Sequence, residues 1–137
     1  PILDYVRDAD MLANVEYNIT HTDIFLEHII LNLPKKKQEF ETDIIDSEIK
    51  KAVKECRAVD TTKIKLRTPL SLFLWELCWF YNLQTIPGKM IARKRKLFIK
   101  YKNMICEQII PLLTSNQKEQ KLIKEEINQI FPDKMFS

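Results

Sequence analysis

The stretch Thr68-Pro69-Leu70-Ser71-Leu72-Phe73-Leu74-Trp75-Glu76-Leu77-Cys78-Trp79-Phe80-Tyr81 decides the fold of this chain. Threonine is a favoured N-cap, and proline is favoured at the first helical position because its missing N–H costs nothing there. In the helix that follows, apolar residues lie on all sides and are interrupted only by Ser71 and Glu76. Because the run is too short to span a bilayer, it predicts a central hydrophobic helix at about residues 69–82, buried among others.

The composition of the whole chain also favours helices. Its 137 residues include a single glycine, Gly88, which is too little for the many tight turns of a β-sandwich or barrel. A hydrophobic content of 45% with 30% charged residues is normal for one globular domain. We therefore expect an all-α fold, a single compact bundle of about six helices over residues 1–137, either alone or as a fragment of a larger protein.

Hydrophobic periodicity and helix-capping signals place the other helices. They are expected at residues 2–17, 20–33, 42–59, 89–109 and 114–131. Pro34 ends the second of these, Pro111 kinks or ends the fifth, and Pro87-Gly88 predicts a turn before it. Residues 60–67 form a loop that could include a short extended piece. The last helix turns these apolar residues inward: Leu122, Ile123, Ile127, Ile130 and Phe131.

Cysteine usage and hydropathy indicate an intracellular protein. Cys56, Cys78 and Cys106 are dispersed, with no C-x-x-C pair and no histidine at zinc-ligand spacing, which is typical of reduced core thiols. The chain shows neither the signal peptide of a secreted protein nor the length of apolar run that a membrane span requires. We expect no membrane association and a nuclear or cytoplasmic location.

No constellation typical of an active site is evident. A single glycine excludes a glycine-rich phosphate loop. His21 and His28, with Asp23 and Glu27 nearby, suggest a metal site, but the histidines are two turns apart, about 10 Å along a helix, and lack the i, i+4 spacing of a helical ligand pair. A polar helix face explains them better. We expect no catalytic residues, no metal, no cofactor and no enzymatic activity.

The most informative cluster is basic. On a helix from Lys89 to Ile109, a stripe about 16 Å long is formed by Lys89, Arg93, Lys96 and Lys100, with Arg95 and Lys102 along one edge. These six residues could bind a protein partner or the phosphates of a nucleic acid, or could be only a solvated face. On the same helix Met90 falls on the apolar face, and Lys94 lies within it, either snorkelling or paired with Glu76.

Charge is divided unevenly along the chain. Residues 1–60 hold 8 Lys and Arg against 13 Asp and Glu, a net −5, and residues 61–137 hold 14 against 6, a net +8. This asymmetry indicates either a basic binding face or two halves that attract each other. The main reason to expect an anionic partner is lost if the stripe is covered by the acidic residues of the first helix, namely Asp4, Asp8, Asp10 and Glu16.

A second candidate surface is aromatic. Trp75, Trp79, Tyr81 and Tyr101 could line a groove for a helix of a partner, although aromatic residues at helical spacing are more often part of the core. The hypothesis that follows is a non-catalytic helical interaction or scaffolding module with a protein partner. The alternative is a nucleic-acid-associated domain that binds the phosphate backbone through residues 89–102. The oligomeric state and the identity of the partner stay open.

Overall fold

A computed structural model describes residues 1–24, 27, 44–65 and 69–133, except that for residue 69 it describes only the backbone. Most of the residues in these ranges are helical and none is in a strand, which confirms the all-α prediction. Seven α-helices are found in the described part: α1 (Ile2–Thr20), α2 (Ser47–Lys54), α3 (Pro69–Leu77), α4 (Ile86–Lys94), α5 (Leu97–Met104), α6 (Ile110–Leu113) and α7 (Gln117–Ile130). Two 3-10 turns, Thr61–Lys63 and Cys78–Asn82, and a π turn, Ile105–Ile109, complete them.

The central helix lies where the apolar stretch predicted it. α3 and the 3-10 turn that continues it span residues 69–82, and they pack against α2, α5 and α6. Leu70, Leu74 and Leu77 are completely buried. Leu72 is 61% exposed, so the helix reaches the surface along one line rather than being covered on all sides.

Glu76 faces a tyrosine rather than a cation. The hydroxyl of the fully buried Tyr101 on α5 donates a hydrogen bond to Glu76 Oε2. Burial raises the pKa of the Glu76 carboxyl, and the hydrogen bond from Tyr101 lowers it only in part. The expected salt bridge to Lys94 is absent from the described contacts of Glu76, because Lys94 is exposed on α4.

The predicted turn at Pro87-Gly88 is wrong, because both residues lie inside the first turn of α4. Thr85 is the N-cap, and its Oγ1 accepts a hydrogen bond from the Gly88 N–H at 3.1 Å. Pro87 occupies an early helical position, where its missing N–H leaves no bond unmade. The helix therefore begins three residues earlier than the sequence predicts.

α1 docks onto the start of α4 through a buried carboxylate. Asp8 is 1% exposed and accepts hydrogen bonds from the Thr85 N–H at 2.8 Å, the Thr85 hydroxyl at 2.6 Å and the Gln84 N–H at 3.1 Å. Burial alone would raise the pKa of Asp8, but the hydrogen bonds from Thr85 and Gln84 outweigh it and lower that pKa. The carboxylate also suits the positive N-terminal end of α4.

The helix predicted from Lys89 to Ile109 is interrupted. α4 ends at Lys94, and Lys96 has left-handed backbone angles, φ 53° and ψ 39°, before α5 begins at Leu97. On one continuous helix Ala92 and Tyr101 would lie about 180° apart. Both are completely buried here, so the break turns each helix to bury its own apolar side.

The break also reverses the expected positions of two side chains. Met90, predicted on the apolar face, is 64% exposed, because α4 buries Gly88 and Ala92 instead. Lys94, predicted within that face, is exposed for the same reason. The anomaly of a lysine among apolar residues therefore disappears.

The helix does not end at Pro111 but widens into a π turn just before it. The chain stays helical from α5 through the π turn to α6, which contains Pro111. In the π turn the Ile110 N–H bonds to the Ile105 carbonyl, five residues back. A wider turn of this kind makes room for the proline ring, which in a regular helix would clash with the preceding turn.

Other boundaries differ in smaller ways. α2 spans only eight residues of the predicted 42–59. It begins after Asp46, the N-cap, whose side chain accepts a hydrogen bond from the Glu48 N–H at 2.8 Å. It ends before Cys56, whose backbone is left-handed with φ 52°. A 3-10 turn occupies the loop in which a short extended piece was considered. Leu122, predicted to face inward, is 57% exposed on α7. The Thr68 cap and most of the helix predicted at 20–33 lie outside the described residues.

Candidate docking surface

An open depression of about 500 Å³ lies between the end of α2, the segment after the central helix, and α4. We call it the α4 cleft. Its lining residues are Cys56, Phe80, Tyr81, Leu83, Ile86, Lys89, Met90 and Arg93. The volume is in the range of binding sites for small molecules and side chains. None of the lining residues is acidic.

The floor of the cleft is held in place by aromatic packing. The rings of Phe80 and Tyr81 meet the ring of Phe98 edge to face, with centroids 5.4 and 6.2 Å apart. Tyr81 also contacts Phe131, at the end of α7, with a centroid distance of 6.4 Å. Because these rings belong to the core, the floor is part of the rigid body of the domain.

One wall of the cleft is an exposed apolar ridge. Ile86 and Met90 are one turn apart on α4, and they are 74% and 64% exposed. Burying such side chains against a partner would stabilise the complex by about 25 cal/mol for each Å² of apolar surface removed from water. An exposed apolar ridge beside an open depression is typical of a surface that contacts a partner.

Two cations share this face of α4. Lys89 and Arg93 alternate with the ridge residues at helical spacing, and both are exposed. Across the described ranges neither forms an ion pair. Lys89 contributes to the lowered pKa of Asp8, but that carboxylate is buried and already accepts hydrogen bonds from three donors. The cleft therefore presents apolar surface together with two cations that form no ion pair with any described residue.

Cys56 lies at the mouth of the cleft and is exposed, so its prediction as a core thiol is wrong. The reason is the left-handed backbone at Cys56, which turns the chain away from the axis of α2. Cys78 and Cys106 are buried, as predicted. Burial raises the pKa of Cys78 to about 12 and also raises that of Cys106.

The predicted basic stripe is divided among different environments. Lys89 and Arg93 line the α4 cleft, whereas Lys96 is exposed at the helix break and Lys100 is exposed beyond it. Arg95 pairs with Glu16 of α1 at 2.7 Å. The six cations therefore do not form one continuous line on one helix.

Lys102 is not a surface residue and is excluded from the predicted set. Its side chain is 3% exposed, and Nζ donates to the Phe131 carbonyl at 3.0 Å and to Asp133. The cation thereby satisfies a carbonyl at the C-terminal end of α7. Its role is to join α5 to α7, since a buried ammonium requires such partners.

Only one of the four predicted groove residues lies in the cleft. Tyr81 forms part of its floor. Tyr101 is completely buried and bonded to Glu76, so it lines no groove, because the break directs that side of α5 into the core. Trp75 and Trp79 are half-buried and meet edge to face at 6.0 Å, away from the cleft lining.

The acidic first helix leaves the cleft open. Asp4 pairs with the chain terminus at 3.6 Å, and Asp8 is used at the start of α4. Asp10 forms no ion pair with any described residue, and Glu16 pairs only with Arg95. The charge asymmetry therefore contributes one ion pair here and does not neutralise Lys89 or Arg93.

No alternative chemistry emerges from the described side chains. Across residues 1–24, 44–65 and 69–133, no three His, Cys, Asp or Glu residues converge as metal ligands would. His21 stacks on Tyr17, with ring centroids 4.3 Å apart, and His28 lies outside the described residues. Among the helices that the structure describes, none combines the length and apolar character needed to cross a bilayer.

Sequence reasoning missed Ile86, Met90 and Cys56 as surface residues. The available signal was Thr85 followed by Pro87, the same pair of capping preferences as at Thr68-Pro69, which would have started α4 earlier. The small residues at 88 and 92, one turn apart, would then have identified the buried side of α4. Met90 lies on the other side.

No family model, curated protein or solved structure matches this chain.

Proposed function

We propose that this chain is a non-catalytic helical module that docks a protein partner, and that the α4 cleft is the docking surface. The observation that carries the proposal is the exposure of Ile86 and Met90 beside an open depression with a rigid aromatic floor. Binding energy at protein interfaces is concentrated where apolar side chains enter such depressions. Lys89 and Arg93 would orient the partner and accelerate encounter.

The alternative is a nucleic-acid surface that uses the same cations. It has weaker support, because phosphate tracking needs a line of cations and this line is interrupted at Lys96 and loses Lys102 to the interior. Met90 also lies between Lys89 and Arg93, where a phosphate backbone offers it no apolar contact. The cleft is suited to side chains rather than to a strand of phosphates.

Site-specific photo-crosslinking tests the proposal. A photoreactive amino acid is introduced at Met90 in the full chain, with a matched control at Leu122, which is similarly exposed on α7. We expect a crosslinked protein from Met90 and not from Leu122 in extracts of the source cells. The captured protein is then purified, and its affinity for the chain is measured directly.

The affinity measurement decides the outcome. Met90→Ser should weaken binding of the captured protein about tenfold or more, as expected for an apolar anchor, and Leu122→Ser should leave it unchanged. Equal affinity for the two variants would contradict the proposal. Fluorescence anisotropy with DNA and RNA at about 50 and 200 mM salt tests the alternative, which requires binding that falls steeply over that range.

A further inference from the structure

We infer that the segment that occupies the α4 cleft is an acidic amphipathic helix of a protein partner. This inference rests on the proposed function and specifies the chemistry of the partner. It follows from three properties of the surface: the absence of a strand edge, the spacing of the ridge, and the sign of the charge beside it.

The backbone of the partner must satisfy its own hydrogen bonds. In the part of the chain that the structure describes there is no strand, so the cleft offers no edge to which an extended peptide could add. Unpaired backbone N–H and C=O groups are costly once they are removed from water. A helix pairs these groups internally and is the conformation suited to a groove between helices.

The ridge sets the spacing of the partner's apolar residues. Ile86 and Met90 are four residues apart on α4, which corresponds to about 6 Å along the helix axis. Helices pack by placing the side-chain ridges of one into the grooves of the other. A partner helix with apolar residues at i, i+4 and i+7 would place them on both sides of Met90, with one entering the depression above Phe80 and Tyr81.

The cations set the sign of its charge. Lys89 and Arg93 have the same one-turn spacing, and Lys94 is exposed at the end of the same helix, with Lys96 exposed at the break that follows. Among the described residues, no acid lines the cleft. Carboxylates at i and i+4 on the partner would therefore meet Lys89 and Arg93, whereas cations there would be repelled. A basic or neutral helix lacks this complementarity.

Defined peptides test the inference without the natural partner. The probe is a fluorescein-labelled, side-chain-stapled helix of about 18 residues with leucines at i, i+4 and i+7 and glutamates beside them. Three matched peptides accompany it: one with lysine in place of each glutamate, one with scrambled order, and one with a central proline that prevents a helix. Binding to the full chain is measured by anisotropy.

The acidic helix should bind, and the scrambled and proline peptides should bind at least about tenfold more weakly. Met90→Ser should reduce its affinity, and Leu122→Ser should not. The double variant Lys89→Glu, Arg93→Glu should no longer bind the acidic peptide and should bind the basic peptide instead. That exchange of preference is specific to charge pairing, because loss of folding would abolish both interactions. Thermal unfolding of each variant confirms that it is folded.

Three results would overturn the inference. The first is equal binding of the acidic and basic peptides, and the second is an affinity for the acidic peptide that Met90→Ser leaves intact. If the cleft instead pairs with a second copy of the chain, self-association that Met90→Ser abolishes will appear in sedimentation, and that also overturns it. If none of the peptides binds but Met90 still crosslinks to a protein, the acidic helix is rejected and the proposed docking function stands. If Met90 gives no crosslink, the proposed docking function is rejected.

Discussion

Asp8 of α1 lies tightly against Gly88 of α4. A Cβ atom placed on Gly88 would overlap Asp8 Oδ2 and lie 3.0 Å from both Asp8 Cγ and Thr85 Oγ1. The Asp8 carboxylate has little freedom to move, because it is buried and accepts hydrogen bonds from Thr85 and Gln84. The single glycine of the chain is therefore required by close packing rather than by a turn, and its φ is not positive.

Gly88→Ala should destabilise the domain, although alanine normally stabilises a helix by about 1 kcal/mol relative to glycine. The added methyl group forces Asp8 to move, with an expected net loss of about 1–3 kcal/mol. Urea unfolding measures this loss of stability. The same substitution in an Asp8→Ala background should cost less, because the clashing carboxylate is gone. An undiminished cost in that background would contradict the packing explanation.

Cys56 should be the one cysteine that reacts in the native protein. Its side chain is exposed, whereas Cys78 is completely buried and Cys106 is 6% exposed. Thiols react as thiolates, and burial raises the pKa of both Cys78 and Cys106. Brief treatment with iodoacetamide should therefore add a single group by intact-mass analysis, and Cys56→Ser should prevent it. Modification of Cys78 under native conditions would show that the core opens.

The break between α4 and α5 is the element that most affects the function we propose. It separates Lys89 and Arg93 from Lys100, and it leaves Met90 in solvent. The break has a cost, since an L-residue such as Lys96 is strained in the left-handed region. The burial of Ala92 and Tyr101 on different sides offsets that cost.

Lys96→Gly should stabilise the domain by about 1 kcal/mol, because glycine adopts the left-handed conformation without strain. Lys100→Gly is the matched control, since it removes the same exposed charge from within α5. There glycine should destabilise by about 1 kcal/mol. Thermal and urea unfolding of both variants measure the difference. Destabilisation by Lys96→Gly would show that its backbone is not left-handed in solution.

The central helix could be predicted from residues 68–81, and the break could not. An apolar run with caps at its start is a local signal, and it is confirmed by α3 and the turn after it. Residues 93–97 contain no glycine or proline, and all are ordinary helix formers. The break depends on packing between distant segments, so the exposure of Met90 could not be deduced from periodicity alone.

Across the whole molecule, charge contributes at a few specific contacts rather than between the two halves. Glu16 and Arg95 join α1 to the α4–α5 turn, but both are substantially exposed, and such pairs contribute about 1 kcal/mol or less. Glu48 is different, because it is 4% exposed and accepts hydrogen bonds from Arg57 at 2.7 and 3.0 Å and from Asp60 N–H at 2.8 Å. It ties α2 to the loop that follows.

This contact should make the stability of the domain depend on acid pH. The hydrogen bond from Arg57 is the main cause that lowers the pKa of Glu48 to about 2, from an ordinary value of 4.5. A lowered folded-state pKa stabilises the protein above pH 4.5, and that stability is lost as pH falls from 4.5 towards 2. Glu48→Gln should therefore cost about 2 kcal/mol at neutral pH and progressively less below pH 4.5.

Urea unfolding at neutral pH and at several acidic values measures how the stabilities of the wild type and of Glu48→Gln converge as the pH falls. Glu55→Gln is the control, because Glu55 also bonds to Arg57, at 2.5 Å, but is 46% exposed. Glu55→Gln should lower the free energy of unfolding by less than Glu48→Gln, and that loss should depend less on pH. Parallel curves for wild type and Glu48→Gln down to pH 3 would contradict the assignment.

The hydrogen bonds of Asp8 also bear on the order in which the domain folds. Asp8 and Thr85 are separated by 77 positions in sequence, and closing a loop of that length costs about 4 kcal/mol of chain entropy. We expect a contact this distant to form late, after the segments around the central helix have assembled. We therefore expect Asp8→Ala to accelerate unfolding in stopped-flow kinetics while leaving the refolding rate nearly unchanged.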